Sequence, residues 1–200
     1  MKFFLFIVSC ISVGFITAQP AASIKDGSVY YETPIAYEAM HVALALTDTN
    51  IYSGSMNVHA TVLDTGTAYY KEVQQHFHAQ RSHPLVKELN EALRKDLLHY
   101  AQNIKLAYNS SWQNGELKEN NVYPLPMKLL YQSQSVSRKL LEDFIQASQF
   151  EAFYTAHFDA YIAALQKVKT MCNVHGQQLW LEQQFGSRYQ QYFIVVSPLM

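Results

Sequence analysis

Ser82-His-Pro-Leu-Val-Lys-Glu-Leu-Asn-Glu-Ala-Leu-Arg-Lys-Asp-Leu-Leu98 decides the fold class. Leu85, Leu89, Leu93 and Leu97 recur at every fourth position, and Val86 and Leu98 widen the stripe. Glu88, Glu91, Arg94 and Lys95 fall on the other side, so the spacing predicts a half-buried helix. Pro84 suits its first position, and the pattern runs on to residue 108.

Outward from that helix the same period returns. A helix over 35–46 carries Ile35, Ala39, Val42 and Leu46 on one stripe, with Thr33 as its cap and Pro34 as its first residue. Asp64 or Thr67 is placed to cap a helix over 68–80, and amphipathic helices are expected over 137–148 and 151–170. A short helix over 177–185 ends at Gly186. Strand signals are fewer. They are 28–32, then 56–63 (a strand or an irregular connection), and the uncharged run Tyr192-Phe-Ile-Val-Val-Ser-Pro-Leu-Met200. That run reads as a strand buried on both faces, which asks for partner strands. Segments 47–55 and 109–121 read as loops, and Pro124 and Pro126 bracket a turn. The second loop is the best insertion or nicking site, and its Asn109-Ser-Ser111 sequon matters only in a glycosylating host. The expected class is mainly α with a few β-strands, α+β, without repeats or an evident linker.

Composition narrows the function classes. Among 200 residues, 49% are hydrophobic and 16% charged, which excludes chain-wide disorder. Lys+Arg number 15 against 16 Asp+Glu, so a basic nucleic-acid surface is excluded too. Lys2, the apolar stretch 3–16 and the small residues up to Ala18 have the layout of a secretory signal peptide, with cleavage after Ala18. The expected organisation is a signal over 1–18 and one mainly helical unit over 19–200, exported to the periplasm or outside the cell. The apolar stretch is shorter than the ~20 residues of a membrane span, and no later segment is long and apolar enough to span. Anchoring of a lipid through Cys10 requires an unusually short apolar region. Loss of the signal leaves Cys172 as the one cysteine, so no internal disulfide can form, and its context reads as a small buried residue.

Motifs for chemistry are sparse. None of the eight histidines is followed by Glu, so His-Glu-x-x-His, which sets two imidazoles and a base on one helical face, is absent. His76, His78 and His83 lie within eight residues, but His76 and His78 diverge by about 200° on a helix. Glu38-Ala-Met-His41 matches half of a di-iron bundle site and has no second copy; Asp96-Leu-Leu-His99 is an imperfect echo. Gly54-Ser55-Met56 and Gly186-Ser187-Arg188 both lack the flanking glycine of a nucleophile elbow. Glu142-Asp143 reads as a solvated helix face. No residue of the chain is therefore assigned a catalytic, cofactor-binding or metal role. The 14 tyrosines, including Tyr30-Tyr31, Tyr69-Tyr70, Tyr189 and Tyr192, fit either a binding face or the edge of a core.

Three stretches together resemble a known family: Thr33-Pro-Ile-Ala-Tyr-Glu-Ala-Met-His-Val-Ala-Leu-Ala-Leu-Thr47, then Tyr70-Lys-Glu-Val-Gln-Gln-His-Phe77 leading to His83-Pro-Leu-Val86, then Phe193-Ile-Val-Val-Ser-Pro-Leu-Met200. In this order they are similar to the front part of a family of exported bacterial proteins of unknown function that looks like gluzincin-type zinc metallopeptidases. The resemblance implies a helical front leading into a strand of a zincin-like sheet. The zinc-binding His-Glu-x-x-His helix is expected only after a segment like 193–200, so zinc and a peptide or protein substrate are expected of a full-length relative alone. On that resemblance the 200 residues read as the front of a longer protein. The other reading is a self-contained exported helical module whose Tyr-rich face meets a peptide or a glycan.

Overall fold

The computed structural model describes residues 21–49, 52–53, 56–57, 62–95, 98–120, 136–171, 174–186 and 190–200. The expected signal, Cys10, Cys172, Tyr189 and the turn at Pro124 and Pro126 lie outside the described residues. The class is as read from the sequence: mainly helical, with short strands in three small sheets.

β1 (Ala22–Asp26) turns at Gly27 into antiparallel β2 (Val29–Thr33). Gly27 has φ +58°, a conformation that glycine adopts without cost. β7 (Tyr192–Val195) lies parallel to β2 with Tyr31 opposite Ile194, giving the order β1-β2-β7. Alternation puts Val29, Tyr31 and Thr33 into the core, while Lys25, Tyr30 and Phe193 share the outer face. β7 therefore departs from the expected strand buried on both faces, since Phe193 is 44% exposed. Pairing stops before Pro198, which has no N–H to give, and the chain turns inward to bury Ser197 and Leu199.

α1 (Ile35–Ala45) follows β2 directly, and every one of its residues is buried. Its composition explains this. Four alanines among Ile35, Met40, Val42 and Leu44 leave it apolar around most of its circumference, so neighbours close on all sides. α2 (Ala68–His76), α3 (Pro84–Lys95), α4 (Leu98–Tyr108), α5 (Arg138–Ala147) and α6 (Phe150–Ala156) all pack against it. α7 (Phe158–Met171) covers β1 and β2, and α8 (Val174–Phe185) ends at Gly186, φ +62°. Leu85, Val86, Leu89 and Leu93 of α3 are fully buried, as their spacing requires.

Several boundaries differ from expectation, each for a physical reason. Thr33 does not cap α1. It is the last residue of β2, and its hydroxyl donates to the Val196 carbonyl (2.9 Å), while Pro34 occupies the cap position and accepts from the Glu38 N–H (2.9 Å). Thr67, of the two alternatives, caps α2 by accepting from the Tyr70 N–H (3.0 Å), and Ser137 caps α5 likewise (3.2 Å). α2 stops at His76 instead of Gln80. A 3-10 turn (His78–Ser82) tightens the chain toward Pro84, whose ring cannot sit inside a helix. The helix read over 84–108 is described as α3 and α4 on either side of 96–97. The helix read over 151–170 divides at His157, whose ring stacks on Phe153 (4.1 Å) and whose Nδ1 lies 2.8 Å from the Phe153 carbonyl.

The largest revision is the loop read over 109–121. It is a hairpin, β5 (Ser110–Gln113) with β6 (Glu116–Glu119), closed by Asn114 and Gly115 at φ +53° and +82°. Two positive φ values form the mirror-image turn that strand twist prefers, and Asn-Gly is its strongest local signal. A second small hairpin, β3 (Tyr52–Ser53) with β4 (Met56–Asn57), falls within the other expected loop and the start of 56–63.

Candidate functional site

α1 carries two ionisable side chains into the core, Glu38 and His41, and both are fully buried. They are the Glu-x-x-His pair singled out in the sequence, and the fold gives each a separate environment.

Around Glu38 three hydroxyls converge. Tyr69 of α2 donates to Glu38 Oε1 (2.9 Å), and the Tyr161 hydroxyl of α7 lies 2.7 Å from that of Tyr69. With the Tyr69 proton engaged by the carboxyl, Tyr161 is the donor in that pair. Ser197, just beyond β7, is the other hydrogen-bonding hydroxyl at the carboxyl. Oε2 has no partner among the described residues, and Glu38 joins no ion pair there. Burial pushes its pKa up to about 7, against the lowering effect of Ser197 and Tyr69. Burial, followed by the charge of Glu38, likewise holds the Tyr69 and Tyr161 phenols far above their usual range. The cluster therefore stores one proton on a carboxyl surrounded by phenols that remain donors.

Tyr154 of α6 stands beside it, with its ring 4.6 Å from that of Tyr161. Its hydroxyl donates to the Thr33 carbonyl (2.5 Å) and accepts from the Ala22 N–H (2.7 Å), closing the β1–β2 pair at its open end. At the rim, His157 lies 3.0 Å from Glu72, and its ring meets Tyr69 edge-on.

His41 sits instead in an aromatic box. Tyr37 lies 4.5 Å away and Tyr100 of α4 6.4 Å away. Nδ1–H donates to the Tyr37 carbonyl (3.0 Å), which leaves Nε2 with its lone pair and no partner among the described residues. Burial pushes the imidazole pKa down to about 4, so the ring is neutral. Burial also pushes the Tyr100 phenol up to about 12.

The other singled-out residues are dispersed. His76 packs on Phe77 and Phe153, His83 on Phe144 with Nδ1 accepting from the Leu85 N–H (3.1 Å), and His78 is exposed. His99 pairs with Gln102 (3.1 Å). Among the described residues, no three His, Cys, Asp or Glu side chains come together as metal ligands. Glu142 is more than a solvated charge: it accepts from the Leu117 N–H (2.8 Å) and pins the β5–β6 hairpin to α5. Of the tyrosines, Tyr31, Tyr37, Tyr70, Tyr108, Tyr154 and Tyr161 are buried. Tyr30 faces outward, stacked on Phe193 at 5.2 Å with Lys25 4.9 Å above its ring.

Sequence reading found Glu38 and His41 but missed Tyr69, Tyr161 and Ser197 as partners. The available signal was a carboxylate inside an apolar run, which must meet donors or take a proton. Which donors, from 31, 123 and 159 residues away, no local pattern encodes.

Compared with protein-family models, curated proteins and solved structures, the chain matches none.

Proposed function

We propose that this chain is the non-catalytic, helix-rich front portion of an exported zinc-metallopeptidase-like protein. It carries one end of a sheet and helps to shape a substrate cleft. The observation that supports this reading is the seating of β7. A strand parallel to β2 lies at one side of a three-stranded sheet, with no strand beyond it among the described residues. Tyr192 and Val196 bond toward β2, so the backbone groups of Phe193 and Val195 face that edge, ready for a further strand. Hydrolysis belongs to a downstream His-Glu-x-x-His segment, where zinc would activate water with the Glu as base.

Reading the coding sequence past Met200 tests the proposal. An in-frame continuation with His-Glu-x-x-His is expected, and a stop codon at that point overturns it. Stoichiometric, tight zinc in the 200 residues alone also overturns it.

One observation favours the second reading, a self-contained binding module: the outward row Lys25, Tyr30 and Phe193 offers an aromatic surface for a peptide or a sugar ring. Measurable binding of either that is lost in Tyr30→Ala supports that module.

A further inference from the structure

Glu38 is a carboxyl at zero exposure whose bonded neighbours are hydroxyls. The groups facing it are Tyr69 from α2, Tyr161 from α7, Tyr154 from α6 and Ser197 from the stretch after β7. The charges felt by those tyrosines beyond Glu38 are the carboxylates Glu72, at Tyr161, and Glu32, at Tyr154. No cation bonds this cluster among the described residues. An ionised carboxylate there would lack a counter-charge, would repel Glu32 and Glu72, and would leave Oε2 without a donor.

Of the parts that close over Glu38, residues 196–200 are held most lightly. α2 and α7 are anchored through whole apolar faces. The closing stretch hangs on the Val196 N–H to Glu32, the Thr33 hydroxyl to the Val196 carbonyl, the Asp64 N–H to the Leu199 carbonyl, and the buried Leu199 side chain. We propose that Glu38 is a protonation latch: as a neutral acid it joins α1, α2 and α7 to residues 196–200, and its ionisation releases that stretch from the core. Water then reaches the carboxylate through the space Ser197 and Leu199 leave, while the α1–α3 core stays packed. The latch is independent of the peptidase-like reading, because it concerns this chain's own closing residues.

The test is backbone 15N relaxation of the 200-residue chain at pH 5.5 and 8.5, with the Glu38 carboxyl carbon followed alongside. At pH 5.5, Val196 and Leu199 are expected to be as ordered as Leu89 of α3, with order parameters about 0.85. At pH 8.5 their values fall below about 0.6 while Leu89 keeps its order, and the midpoint coincides with that of the carboxyl. Glu38→Gln, which needs no proton, keeps both residues ordered at both pH values. Should that variant not fold, Tyr69→Phe decides, since losing a donor to the charged form moves the midpoint to higher pH. Order retained at pH 8.5 in the wild type, equal loss in Glu38→Gln, an unmoved midpoint in Tyr69→Phe, or loss at Leu89 in step with Val196 would each overturn the latch.

Discussion

Glu38 and His41 stand three residues apart on the same buried helix, yet their surroundings are opposites. Glu38 is wired by hydroxyls to two other helices and to the end of the chain, whereas His41 spends its one donor on its own helix and is otherwise enclosed by rings. Burial removes the charge from both, by adding a proton to the acid and withholding one from the base. Equal burial thus gives opposite dependence on pH, and the difference lies in the sign of the charge each group would carry.

The largest expected effects follow from that sign. Glu38 rises from 4.5 to about 7 on folding, so its contribution is fully present below pH 4.5 and is lost as pH climbs through 7. The full span is worth about 3 kcal/mol. Denaturant melts of Glu38→Gln are expected to lose this alkaline decline; an unchanged slope between pH 5 and 8 would refute the assignment. His41 falls from 6.5 to about 4, so its contribution is present above pH 6.5 and is lost as pH drops through 4, again by about 3 kcal/mol. His41→Phe should remove that acid-side loss and leave the alkaline one intact. Between pH 4.5 and 6.5 the two slopes oppose each other in the wild type.

A smaller effect separates wiring from enclosure. Tyr69→Phe breaks the hydroxyl chain and is expected to cost about 1–2 kcal/mol at pH 5. Combined with Glu38→Gln in a double-mutant cycle, it should show coupling of at least about 0.5 kcal/mol; additivity would mean that the two groups are neighbours without being partners. Smallest is Tyr100→Phe beside His41. The Tyr100 hydroxyl has no hydrogen bond among the described residues, so its removal should change stability by less than about 0.5 kcal/mol.

Legibility followed the range of the interaction. Leu85, Leu89 and Leu93 were readable because a helical stripe repeats within a dozen residues and meets the core wherever the helix lands. Thr67 and Ser137 were readable as helix starts because a cap bonds three residues along its own chain. The Asn114-Gly115 hairpin was equally local and was passed over, because polar Ser, Gln, Glu and Lys around it obscured the alternation. The break at His157 was hidden for the opposite reason: Phe153, Tyr154, Phe158 and Tyr161 keep a helical spacing straight through it. At the candidate site, the Glu38-x-x-His41 spacing was visible, while its suggestion of shared ligation dissolved once α2 and α7 approached one side and α4 the other.

By itself the sequence determined the mainly helical class, the buried stripe of α3, the burial of an acid and a base in α1, and the exclusion of a basic nucleic-acid surface. Those follow from periodicity and composition, which act over a few residues or over the chain as a whole. Only the tertiary structure decided that β7 pairs in parallel with β2, that Tyr69, Tyr161 and Ser197 meet Glu38, and that Tyr154 ties the first strand to the second. Each of these joins groups far apart in the chain. Their meeting is set by how apolar faces stack and close, and a hydroxyl carries no local mark of the carboxyl it will reach.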